Sequence, residues 1–97
     1  MTRNSTSKDL NLKWLELFQI CAQKGTLQAA AQESGLTIST VSYHLRSLED
    51  HLGVALFNHS RRPMVLTPKG TAFLRNIDQA LHSIRKAKAE ASAGPLS

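Results

Sequence analysis

The sequence predicts a mainly α-helical domain of three helices, a short two-stranded hairpin and a long closing helix. Three observations carry that prediction. A small-residue segment from Leu27 to Ser34, with Ala29, Ala30 and Ala31, ends at Gly35. Thr37 then stands where a residue can cap a further helix. Beyond it, Arg61-Arg62-Pro63 lies between two apolar pairs, Leu56-Phe57 and Val65-Leu66. Helix, tight turn, helix and basic hairpin, in that order, are the layout of a winged helix-turn-helix, followed here by a linker helix. Such a layout implies one helix and one cationic loop presented to a DNA duplex.

Each element has a local cause. Leu12, Leu15, Phe18 and Cys21-Ala22 recur at helical spacing, which predicts a first helix from about Leu10 to Lys24. Gly25 ends it, because glycine accepts the left-handed geometry after a helix C-terminus. Thr26 is an N-cap for the second helix, whose alanines allow close approach of neighbours. Thr37 caps the third helix, in which Val41, Leu45, Leu48 and Leu52 form one apolar stripe and Gly53 is the stop. From Val54 to Leu66 the chain is too punctuated for a helix. Pro63 is tolerated at a hairpin tip or edge, so two short strands are expected around Asn58 to Met64. Thr67-Pro68 reads as an N-cap followed by proline at the first helical position. The last helix should run from Pro68 to about Ala91, with Phe73-Leu74, Ile77, Leu81 and Ile84 forming a coiled-coil-like seam. The expected organisation is a flexible segment at 1–9, the winged domain at 10–67, a linker and dimerisation helix at 68–91 and a flexible tail at 92–97.

Composition narrows the function. Ninety-seven residues allow one domain with a modest core. A net charge of +5 and a pI near 9.9 favour a polyanionic partner, although many small basic proteins share that balance. The single cysteine, Cys21, cannot form an intrachain disulfide and reads as a buried, inert thiol. No apolar run approaches the roughly 18 residues of a membrane span and no signal peptide is visible, so a cytoplasmic protein is expected. The four histidines, His44, His51, His59 and His82, share no metal-ligand spacing with Cys21 or the carboxylates. Without a phosphate loop or a nucleophile motif either, neither an enzyme nor a metal or cofactor site is expected.

The third helix is the candidate reader. With Val41, Leu45 and Leu48 turned inward, its far side carries Ser39, Ser42, Tyr43, Arg46 and Asp50, with Thr40 and Ser47 on the edge. Small hydroxyls at its start would let the backbone sit deep in a major groove, and Tyr43 and Arg46 would reach base edges or phosphates. The same face would also serve an ordinary solvated helix, and this helix alone leaves both readings open. His44 lies nearer the core side and suits packing. On the wing, His59, Arg61 and Arg62 cluster where they would touch phosphate or enter a minor groove.

Several ordered blocks resemble the N-terminal DNA-binding domain of LysR-type transcriptional regulators. They are Leu12-x-x-Leu15-x-x-Phe18, Gly25-Thr26-Leu27-x-Ala29-Ala30 and Val41-Ser42-x-x-Leu45-x-x-Leu48-Glu49-x-x-Leu52-Gly53, then Leu56-Phe57 and Leu66-Thr67-Pro68-x-Gly70. The resemblance implies a phosphate contact from Thr26 and base or backbone contacts from Ile38, Ser39, Thr40, Ser42 and Tyr43. It also implies wing contacts around His59 to Arg62. The closing helix would pair antiparallel with its twin, giving a homodimer on an interrupted inverted repeat of operator DNA. Family members often carry Gln-Pro where this chain has Ile38-Ser39, and position 59 is more usually arginine. The family's large effector-binding domain has no counterpart in these residues, so an inducer would act through sequence outside them. A rival reading is a winged-helix module for protein association, in which the second helix and the Phe73 to Ile84 seam meet another protein.

Overall fold

The computed structural model describes residues 10–61 and 63–93. The expected flexible segment at 1–9, Arg62, and the end of the expected tail at 94–97 lie outside them.

Four helices and one hairpin follow one another: α1 (Leu12–Lys24), α2 (Leu27–Ser34), α3 (Ile38–Leu52), β1 (Phe57–Asn58), β2 (Val65–Leu66) and α4 (Pro68–Ser92). Side-chain caps set the helix starts. Asn11 accepts from the Lys13 amide, Thr26 from Ala29, Thr37 from Thr40 and Thr67 from Gly70. Each bond satisfies one amide that the first helical turn leaves without a partner. The first helix therefore begins at Leu12 and not at Leu10, because Asn11 supplies the cap. Glycines at φ 82°, 74° and 76° (Gly25, Gly35 and Gly53) end α1, α2 and α3.

Phe18 lies at the middle of the core. Its ring centroid stands 5.4 Å from that of Phe57 and 5.3 Å from that of Phe73, joining α1 to the hairpin and to α4. Around it are buried Leu17, Cys21, Ala30, Ala31, Val41, Leu45, Leu48, Leu56 and Met64. Ala30 and Ala31 are the residues through which α2 reaches this core, and their size keeps the helices close.

The strands are antiparallel, with Phe57 opposite Leu66 and Asn58 opposite Val65. They stand around the segment expected from Asn58 to Met64, with Asn58 ending β1 and its side chain building the turn with Ser60. Asn58 Oδ1 accepts from both the amide and the hydroxyl of Ser60. The hairpin is fastened at its base. Thr67 donates its amide to the Leu56 carbonyl and its hydroxyl to the Ala55 carbonyl. A Cβ at position 70 would overlap the Leu56 carbonyl, so Gly70 is what lets α4 start against the wing.

The seam on α4 requires a correction. Ile77 and Leu81, expected at a dimer contact, are only 8% and 1% exposed within a single chain. Phe73 and Leu74 are half-buried and pack on the core. The face of α4 that carries them is turned to α1, and the Gln19 side chain binds both Asp78 and Arg85 across that contact. A three-four apolar repeat marks a packing stripe without saying whose surface covers it. Of the five seam residues, Ile84, at 45% exposed, is the most open.

Candidate nucleic-acid interface

Thr37 organises the start of α3. Its Oγ1 accepts from the Thr40 amide at 3.1 Å and donates to the Thr40 hydroxyl at 2.8 Å, with the Ser39 hydroxyl 3.4 Å away. Ile38 and Ser39 stand exposed at this tip, while Thr40 is half-buried. One turn on, Ser42 is half-buried and Tyr43 projects outward at 67% exposure. Arg46 is exposed, and no carboxylate among the described residues pairs with it. The expected outward face of α3 therefore exists as an exposed surface, with Ser42 and Thr40 at its margins.

Thr26 is exposed at the start of α2, and its hydroxyl oxygen accepts the Ala29 amide. It shares a concavity of about 310 Å³ with Gly25, Leu27, Gln28, Ile38 and Met64. The start of α2, the tip of α3 and the base of the wing thus meet at one place. Met64 contributes by donating its amide to the Gly25 carbonyl at 2.9 Å.

The wing is joined to α3 by a residue that helical periodicity did not single out. Glu49 Oε2 accepts from the amides of Leu56 and Phe57, at 2.7 and 3.2 Å. Its other oxygen lies 2.8 Å from His59 Nε2. A carboxylate accepting several donors is a strong anchor because its charge reinforces each bond. His59 was expected to reach for phosphate. The structure instead turns its ring toward Glu49, where the neighbouring carboxylate draws it, and sets it edge-on to Phe57. Arg61 remains exposed at the tip, its amide donating to the Asn58 carbonyl. Arg62 belongs to the same expected set and lies outside the described residues.

The two histidines on α3 lie against aromatic rings. His51 stacks edge-on to Trp14 with centroids 6.0 Å apart, and half-buried His44 does the same to Tyr43 at 5.7 Å. Among the described residues, no group of three or more His, Cys, Asp or Glu is placed to hold a metal ion. No helix among them is long and apolar enough to cross a membrane.

Residues 12–71 match the family model described as a bacterial regulatory helix-turn-helix protein of the lysR family. The chain is 39% identical over 83 residues to the uncharacterized HTH-type transcriptional regulator YxjO of Bacillus subtilis, covering 86% of this chain and 28% of that protein. Among solved structures it is similar to VV2_1132, a LysR family transcriptional regulator, with a TM-score of 0.83 and 30% identity over 92% of this chain and 30% of the other. It is also similar to Vibrio fischeri DarR, solved in complex with DNA, with a TM-score of 0.78 and 29% identity over 93% of this chain and 29% of the other. The chain thus spans less than a third of the length of these relatives. Matched over 60 of its residues (12–71), the chain belongs to the LysR family of bacterial helix-turn-helix regulators.

Proposed function

We propose that this chain binds double-stranded DNA sequence-specifically, as the DNA-binding part of a LysR-type transcriptional regulator. The observation that carries the reading is the Glu49 anchor. One carboxylate ties the start of the hairpin and His59 to α3, which keeps the wing beside that helix. In this reading α3 enters a major groove, with Ser39, Thr40, Ser42, Tyr43 and Arg46 along the DNA. Thr26 meets a phosphate at the start of α2, and Arg61 and Arg62 take the backbone or the minor groove beside it. DarR, the relative solved with DNA, supports this reading.

Two copies joined through α4, with Ile84 at the contact, would place two reading helices on an interrupted inverted repeat. The role is that of a regulator, not of an enzyme, since the relatives are transcriptional regulators. Its place is the cytoplasm, where a bacterial chromosome is reached.

The test is fluorescence anisotropy of the chain on a randomised duplex pool at two salt concentrations, followed by sequencing of the retained DNA. A two-fold-symmetric motif is expected, bound more weakly as salt rises. Salt-sensitive retention without a motif would overturn sequence specificity, and no retention would favour the protein-association module.

A further inference from the structure

Ile38 is out of keeping with the helix it begins. It is the first residue of α3 and stands 48% exposed. The other aliphatic side chains of that helix turn inward: Val41, Leu45 and Leu48 are buried, and Leu52 packs against them. Among the described residues Ile38 takes no part in this core. A β-branched side chain gains little helix propensity at a helix start, and about half of this one stays in water. Folding therefore asks little of an isoleucine here.

Its neighbours sharpen the contrast. The Thr37 hydroxyl donates to that of Thr40, while Thr26 Oγ1 accepts the Ala29 amide. Within this set of locally engaged hydroxyls, the tip of α3 presents hydrocarbon. Ile38 also lines the concavity that runs from the start of α2 to Met64 at the wing. It thus sits at the N-terminal end of the reading helix, the end from which such helices touch base edges.

Four base-pair orientations present one apolar feature in the major groove, the C5 methyl of thymine. We propose that Ile38 is a specificity-determining residue that packs its side chain on the C5 methyl of a thymine in each half-site. An amide at this position would ask for a hydrogen-bonding edge; an isoleucine has nothing to donate or accept and gains only by covering a methyl. The proposal rests on the DNA-binding reading above and adds the chemical group that is read. It also implies that 5-methylcytosine, which carries a methyl at the same ring position, satisfies Ile38 where unmodified cytosine does not.

The experiment takes a duplex recovered from the randomised pool and resynthesises it with deoxyuridine in place of thymidine. That change removes the methyl groups and keeps the base-pairing edges. Anisotropy titrations compare both duplexes with the wild-type chain, Ile38→Gln and Ile38→Ala, each variant checked for an unchanged circular dichroism spectrum. Wild type should bind the deoxyuridine duplex about fourfold more weakly for each half-site methyl lost, the loss corresponding to one buried methyl-sized group. Both variants should bind the two duplexes equally, and should one bind too weakly to measure, the other supplies the comparison. Equal binding by wild type, discrimination retained by Ile38→Ala, or a recovered motif without thymine would overturn the assignment of Ile38 and leave DNA binding intact. Retention of no duplex by the wild-type chain would overturn both.

Discussion

The imidazole of His59 and the carboxylate of Glu49 meet at 2.8 Å, across the gap between the wing and the last turn of α3. The same carboxylate holds the amides of Leu56 and Phe57, so the start of the hairpin hangs on one acidic side chain. Glu49 is largely shielded, with a side chain 13% exposed, and water replaces these bonds poorly if it is removed.

Glu49→Ala should therefore destabilise the fold by about 2–4 kcal/mol, since it leaves two partly buried amides without an acceptor. Glu49→Gln should fall between it and wild type, because its one carbonyl oxygen still accepts. Urea denaturation followed by circular dichroism measures both. A loss under about 0.5 kcal/mol for the alanine variant would mean that the wing is held by its base alone.

Arg46 offers the opposite case. Exposed and outside the core, its replacement by alanine should change stability by no more than about 0.5 kcal/mol. Affinity for the recovered duplex should nevertheless fall, and if Arg46 meets a phosphate, the salt dependence should lose about one charge per chain. Paired denaturation and anisotropy measurements separate the two effects. Unchanged binding would remove Arg46 from the interface.

Leu81 and Ile84, three residues apart on α4, should respond differently to the same substitution. Leu81→Glu puts a carboxylate where the leucine is 1% exposed and should cost about 3 kcal/mol or more of stability, loosening α4 from α1. Ile84→Glu alters an exposed position and should leave the fold intact while weakening self-association. Sedimentation velocity over a concentration series, beside thermal melts, checks both. Equal self-association of Ile84→Glu and wild type would move the dimer contact elsewhere.

Burial pushes the Cys21 thiol from its ordinary value of 9.0 up to about 11. The folded state therefore holds its proton more tightly than the unfolded chain does. Stability from this residue is complete below pH 9 and declines as the pH rises toward 11, where the folded thiol also ionises. Iodoacetamide labelling at pH 8 should be slow in the native chain and should accelerate sharply in urea. Rapid native labelling would show that the core opens around Cys21.

What the residues alone disclosed follows from how local each cause is. Thr26, Thr37 and Thr67 bond to amides three residues away, and Gly25, Gly35 and Gly53 differ in backbone freedom, so each helix boundary is written within a few positions. The outward set from Ser39 to Arg46 follows from turning one apolar stripe inward. The Glu49 anchor reaches main-chain amides seven and eight residues on and the His59 ring ten residues on, which no periodicity reports. The α4 stripe was visible as apolar, yet its partner was not. Ile77 and Leu81 carry the same chemistry whether α1 or a second chain covers them.

Beyond Arg85, whose guanidinium still donates to the Gln19 side chain of α1, α4 leaves the body of the protein. From Lys86 to Ser92 every residue is exposed, so roughly 10 Å of helix projects with little but its own hydrogen bonds to stiffen it. Such a boom converts angle into distance. A tilt of about 20° where α4 leaves α1 would carry its far end about 3.5 Å, close to the rise between neighbouring base pairs. In the proposed dimer such a lever would set how far apart along a duplex the two α3 helices come to rest.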